Sequence, residues 1–383
     1  MTVSLWNRRD VLSATAGLGA MALMGGNAQA GAEGKGKMKT RGVVYDVGLQ
    51  FSPEAPLSVE PFNIELVKYD LHIIAKDLHA TAIRIEGEKI DRLVAASRIA
   101  HSEGLRVFFN PWKMGVPVSE LSDYYAEAAR EAEKLRDEGV DITFVAGCEA
   151  TIFNKGIFPG ATLMDRLNWL VAQSVGENPG AGFAEKWPIL NEALAAFATA
   201  IRTEFKGAVT YSAGAWESVD WSLFDIVGVD YYRQGESDEQ YVAGLDQHRV
   251  SNKPLVVMEV GSCAYVGAAA RGPGGFMVLE GTNPDGSGNF SGGVVPTRSE
   301  KEQADYVKGV LNLLDAGGVD GVFIYVFSFP TLRFGEGAKD LDMVSFSLVK
   351  TFPEDDARSK EMPPWAPKEA FRVVADFNQQ YAR

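Results

Sequence analysis

From about residue 40 onward the chain alternates short, almost unbroken apolar runs with longer segments in which apolar residues return every three or four positions. The runs are GVVYDVGL (42–49), TAIRIEG (81–87), RVFFNPW (106–112), ITFVAGCE (142–149), AVTYSAG (208–214), IVGVDYY (226–232), LVVMEVG (255–261) and GVFIYVF (321–327). A strand with one wet face alternates apolar and polar residues. These eight do not, which is the pattern of parallel strands buried on both sides.

Helical periodicity lies between them. SDYYAEAAREAEKLRDEG (122–139) begins at Ser122 as a candidate N-cap, places Tyr125, Ala128, Ala129, Ala132 and Leu135 on one face, and ends at Gly139. KIDRLVAASRIAHSEG (89–104) repeats the plan and ends at Gly104. In 299–318, Ser299 and Glu302 have capping-box spacing. In 367–382, Pro367 stands near a helix start. The fifth helix must be short, because only WESVDWSLFD separates runs five and six.

Eight strand–helix units in one composition regime predict an α/β chain with a single (β/α)8 TIM barrel over 41–383. An open doubly wound sheet would want a G-x-G-x-x-G turn after the first strand, and YDVGLQFSPEA is not one. Long loops are expected after strands four, seven and eight. All three leave the C-terminal ends of strands, where barrels keep their chemistry.

The first 30 residues differ from the rest. NRRDVLSATAGLGAMALMGGNAQA has a twin arginine, a mildly apolar Gly/Ala-rich stretch and Ala28-Gln29-Ala30 as a small-x-small cleavage site. It resembles a bacterial twin-arginine export signal, which implies a periplasmic or secreted protein. Residues 31–40, GAEGKGKMKT, are expected to be a flexible linker. The formal net charge of −14 argues against nucleic acid or an anionic membrane as partner, and the exported body is expected to act as a monomer. The two cysteines, Cys148 and Cys263, are expected to be free thiols. With four scattered histidines and no Cys/His cluster, no metal and no other cofactor are expected.

Two of the apolar runs end in a glutamate, Glu149 after FVAGC and Glu259 after LVVM. A carboxylate at the end of a buried strand is costly without a partner or a task. Both strand ends point at the mouth of the expected barrel, and a pair of carboxylates there is what glycoside hydrolysis uses. The competing reading pairs each with an arginine in a structural ion pair.

The order of strand-four Glu, strand-six Tyr and strand-seven Glu is similar to the clan A retaining (β/α)8 glycoside hydrolases. The chain most resembles the family 113 β-mannanase group, in FVAGCEA, MEVGSCAY, GLRVFFNPW and VTYSAGAWESVDWSLFDIVGVDYYRQ. That resemblance implies an oligo- or polysaccharide substrate, Glu149 as acid/base, Glu259 as nucleophile, and Tyr232 as a hydrogen-bond donor to Glu259. The acid/base should hold its proton through poor solvation and the nearby negative nucleophile. The likeness has departures. Cys148 stands where many clan members have Asn, NPWKM replaces a Lys-Pro-His pattern, and Tyr325 and Phe327 stand where a tryptophan platform is expected.

Several residues are candidates for substrate contact. Arg84 is a donor to the nucleophile or, alternatively, a core ion pair with Glu86 or Asp230. Trp112, Trp216, Tyr231 and Tyr325 sit at strand ends and offer either stacking platforms or packing. Lys113 and Asp46 are polar candidates, and Asn110 either binds a sugar or caps its strand. Two rival functions remain. One is a non-catalytic glycan-binding barrel. The other is a metal-dependent hydrolase or isomerase using Asp46, Glu86, Glu149, Asp230 and Glu259.

Overall fold

Eight parallel strands close into a barrel: Thr40–Asp46, Ala82–Gly87, Arg106–Pro111, Ile142–Cys148, Ala208–Gly214, Val227–Asp230, Leu255–Val260 and Gly321–Ile324. Each lies beside its neighbours in sequence, and strand eight closes on strand one with Thr40 opposite Gly321. The computed structural model describes residues 38–52, 55–174 and 180–381. The stretch 1–30 expected as an export signal lies outside the described residues. Of the expected linker, residues 38–40 belong to the folded body, because Met38 is buried and Thr40 already pairs in strand one. Among the described residues no helix is long and apolar enough to cross a membrane.

Each barrel strand has two buried faces, which is why its sequence runs apolar. One face packs on the helices through residues such as Val43, Ile83, Ile85, Val107, Phe109 and Phe144. The other fills the barrel with Val44, Ala82, Phe108, Val145, Val256, Met258 and Phe323. Phe108 and Phe323 meet edge to face across it at 4.7 Å. Counting upward by two from these inward residues passes Asp46, Arg84, Glu86 and Asn110 toward the C-terminal mouth. The inward faces thus change from apolar to charged as the strands rise.

The expected face of the helix Ser122–Asp137 is the buried one. Its N-cap, however, is Leu121, and Ser122 is already helical, so Ser122 makes no side-chain cap. Ser299 does cap Glu300–Gly317, accepting from the Glu302 N–H at 3.2 Å. The box is not reciprocal: Glu302 turns its carboxylate to Gly267 N and Ala269 N and holds the strand-seven loop instead. Pro367 does not open a helix. It ends a short strand paired with Val349, and the helix Glu369–Gln380 starts after it.

A helix not picked out from the sequence, Ile64–Lys76, links strands one and two and is capped by Asn63. The connection after strand four contains the helices Ala150–Phe153, Leu163–Ser174 and, running on to strand five, Trp187–Glu204. Strands five and six are joined by the single 3₁₀ turn Trp221–Leu223. The loop after strand seven carries a hairpin of Leu279–Thr282 and Gly288–Phe290. The segment after strand eight carries Val349–Thr351. Arg298 bridges the two regions through Glu300, Asp340 and Asp342, and the buried Lys368 pairs with Asp342 at 2.9 Å.

Candidate active site

Glu149 follows strand four directly. Gly147, with φ of 91°, supplies a left-handed residue that L side chains rarely adopt, and a Cβ there would meet the Tyr125 hydroxyl at 2.4 Å. The register with strand five shifts between Val145 and Cys148 at this point. Glu149 is itself left-handed, with φ 40° and ψ 50°, and caps the helix Ala150–Phe153. Such a conformation is strained for a residue with a side chain, by about 1–3 kcal/mol.

Glu259 reaches the mouth by a similar irregularity. Strand six pairs Val229 with Val257 but Asp230 with Glu259, so Met258 is passed over. The Glu259 carboxylate is gripped on both oxygens. Arg84 Nη1 donates to Oε1 at 2.9 Å, and the Tyr232 hydroxyl donates to Oε2 at 3.1 Å. Arg84 is fully buried and fixed in turn: Nε donates to Asn110 Oδ1 at 2.8 Å and Nη1 to Met258 O at 3.1 Å. Its Nη2 faces Glu86 Oε2 at 3.5 Å, without a hydrogen bond. Arg84 therefore fills both roles considered for it. It donates to Glu259, and it is also a core ion pair with Glu86.

A third carboxylate stands beside these two. Asp230 accepts from Ser212 Oγ at 2.6 Å. The Cys148 thiol lies 3.5 Å from both Asp230 Oδ2 and Glu259 Oε1, with one proton to donate to either. Cys148, Asp230 and Glu259 each bring one metal-ligating atom to within 4.8 Å of the others. Arg84 already supplies a cation at Glu259, so this arrangement does not favour the metal-dependent rival.

The surroundings of Glu149 oppose its ionisation. Burial pushes its carboxyl well above the ordinary range, and the negative charges of Asp230, Glu259 and Glu217 add to that, with Arg84 opposing. Asp230→Asn is expected to make Glu149 titrate at lower pH, because the largest charge opposing its ionisation is gone. A carbon-13 NMR titration of the Glu149 carboxyl would read this, and an unmoved midpoint would show that the Asp230 charge does not help to set it.

The residues expected to contact substrate divide. Tyr231 points away from the mouth. It stacks on Tyr241 at 4.7 Å and donates to Tyr241 O, because successive strand residues face opposite sides. Asn110 and Arg84 are wholly buried: Asn110 accepts from Arg84, and Arg84 donates to Glu259. Trp112 is only 3% exposed, packed edge-on against Phe153 at 4.8 Å, so it is packing rather than an open platform. Trp216 is half-buried and its indole N–H is committed to Thr151 Oγ1 at 3.1 Å. Asp46 is buried, accepts from Gly48 N at 2.6 Å, and is pushed up to about 6 by burial. Lys113, half-buried, holds its ammonium 5.8 Å from the Tyr124 ring. Tyr325, half-buried, packs against Phe346. Both cysteines are free and buried.

Sequence reasoning passed over Ser212 and Glu217. Ser212 is legible afterwards by counting two on from the inward Thr210, whose hydroxyl bonds Ile226 O. Glu217 lies in a loop without periodicity, and nothing in its neighbours signals its partners.

No family model and no curated protein sequence matches the chain. Among solved structures it is similar to a GH113 β-1,4-mannanase, with a TM-score of 0.54 at 15% identity over 89% of this chain and 98% of that one. The GH113 β-mannanase AaManA of Alicyclobacillus acidocaldarius, in complex with ManMIm, gives 0.52 at 15% identity over 89% and 97%. A GH5_18 protein of Streptomyces cattleya in complex with GlcNAc gives 0.50 at 13% identity over 90% and 81%. The fold is that of these clan A glycoside hydrolases. The resemblance read from the strand-end motifs therefore holds at the level of architecture.

Proposed function

We propose that this barrel is a retaining glycoside hydrolase acting on a β-linked glycan, with Glu259 as nucleophile and Glu149 as acid/base. The observation that carries the reading is the contrast between the two strand-end glutamates. One is gripped by a guanidinium and a phenol; the other sits where burial and neighbouring negative charge favour its proton. The fold shared with GH113 and GH5 proteins supports it.

In the first step Glu259 attacks the anomeric carbon while Glu149 gives its proton to the departing glycosidic oxygen. The C–O bond breaks and a glycosyl ester forms on Glu259. Arg84 and Tyr232 hold the attacking oxygens in place. In the second step the Glu149 carboxylate takes a proton from water. That water attacks the same carbon, frees Glu259 and restores the Glu149 proton. Two inversions give retention. Export by the twin-arginine route belongs to the same proposal.

The test is hydrolysis of β-linked oligosaccharides and aryl β-glycosides by the wild type and Glu149→Ala, with the first-formed anomer read by NMR. The β-anomer is expected first. Glu149→Ala should lose about 10²–10⁴-fold on poor leaving groups and far less on an activated phenol. The α-anomer first would replace the retaining route by an inverting one. Binding without turnover in the wild type would favour the glycan-binding barrel.

A further inference from the structure

Glu217, buried in the turn after strand five, takes no direct step in the chemistry above beyond adding negative charge near Glu149, yet it ties down the chain that bears Glu149. Its Oε1 accepts from Thr151 N at 3.1 Å and Thr151 Oγ1 at 2.6 Å. Its Oε2 accepts from the Tyr211 hydroxyl at 2.9 Å and Gly214 N at 3.1 Å. Tyr211 then accepts from Ala150 N at 2.7 Å, and Glu149 N donates to Ser212 O at 2.9 Å. Three consecutive backbone N–H groups, 149 to 151, are therefore all satisfied from strand five and the turn after it. Two of the three bonds depend on Glu217, directly or through Tyr211. Trp216 adds its indole N–H to Thr151 Oγ1 from the same turn.

We infer that Glu217 is a positioning residue for Glu149: it clamps the start of the strand-four loop to strand five and so maintains the left-handed backbone on which Glu149 is held. The inference rests on Glu149 as the acid/base. The short helix Ala150–Phe153 has too few hydrogen bonds of its own to impose that conformation. A strained residue persists only where its surroundings over-determine it. Four donors converge on one carboxylate, which suits an ionised group, since a protonated one would have to donate in place of accepting. Burial nonetheless holds Glu217 up at about 7 against those donors. The titratable groups that face it are Tyr211 of strand five and Glu149 after strand four.

The test uses Glu217→Gln, Thr151→Val and Thr151→Ser in the full chain. Glu217→Gln and Thr151→Val are expected to lower kcat/KM on glycosides with poor leaving groups by about 10- to 100-fold, the scale of an ångström-sized misplacement. Loss on an activated aryl glycoside should stay within about 3-fold, because that substrate needs little protonation. KM should hardly change, and Thr151→Ser should restore the rate. A merely structural role would lower both substrates together, which would overturn the proposal. Crystal structures of Glu217→Gln and Thr151→Val decide the clamp independently of turnover. Glu149 displaced from its left-handed conformation supports it, and Glu149 unmoved in both overturns it. A wild type that hydrolyses no glycoside would instead sink the reading of Glu149, which these structures do not test.

Discussion

Glu259→Gln is expected to reduce turnover of any glycoside substrate by at least roughly 10⁴-fold while leaving the protein folded and able to bind sugar. The amide keeps the shape of the carboxylate. Its oxygen still accepts from Arg84 Nη1, and the Tyr232 hydroxyl turns to accept from the amide nitrogen. What disappears is the nucleophile: an amide oxygen does not form the glycosyl ester. Mass spectrometry makes the assignment directly. A 2-fluoro glycoside with an activated leaving group should add one sugar to the wild type, on the peptide that contains Glu259, and nothing to Glu259→Gln. A label on Asp230 or Glu86 would move the nucleophile to another strand, six or two. Near-normal turnover in Glu259→Gln would end the double-displacement reading.

Arg84→Met should be the most destabilising single change at the mouth, by about 3–5 kcal/mol at neutral pH. Arg84 is wholly buried and is the cation that faces both Glu86 and Glu259. Methionine fills much of the volume but leaves these acids, and Asp230 beside them, without counter-charge. The defect should shrink as pH falls. Burial, opposed by Arg84, already pushes Glu86 well above the ordinary carboxylate range, and burial with the charge of Glu259 does the same to Asp230. Without Arg84 both bind protons more readily in the folded than in the unfolded chain. Stability of the variant then rises as pH falls from neutrality toward the ordinary carboxylate range of about 4. Urea unfolding of wild type and variant at several pH values measures this. Arg84→Lys, which keeps the charge without the planar fork, should recover part of the loss. Equal stability of wild type and Arg84→Met at pH 7 would mean that the acids are neutral there and the ion pair contributes nothing.

Much of the disagreement between expectation and structure concerns side-chain direction at strand ends. Tyr231 and Tyr232 are adjacent in IVGVDYY, yet one packs against Tyr241 and the other reaches Glu259. Trp112 and Trp216 read alike as aromatic residues after strands. In the fold one is core and the other has its N–H taken up by Thr151. Ser122 and Pro367 had good local chemistry for helix starts, but Ser122 is the first helical residue rather than the cap, and the helix near Pro367 begins two residues later at Glu369.

The barrel was determined by the sequence itself. A strand buried on both faces must be apolar at nearly every position, so eight such runs separated by amphipathic segments admit few other architectures. The two glutamates were legible for the same reason, since a charge ending an apolar run is conspicuous. Only the tertiary structure decided what surrounds them. Passing over Met258, the left-handed Gly147 and Glu149, and the convergence of Arg84, Asp230, Cys148 and Glu217 all depend on how distant strands meet. A carboxylate's partners and proton affinity come from burial and from charges brought near by the closed barrel, and neither is a property of its neighbours along the chain.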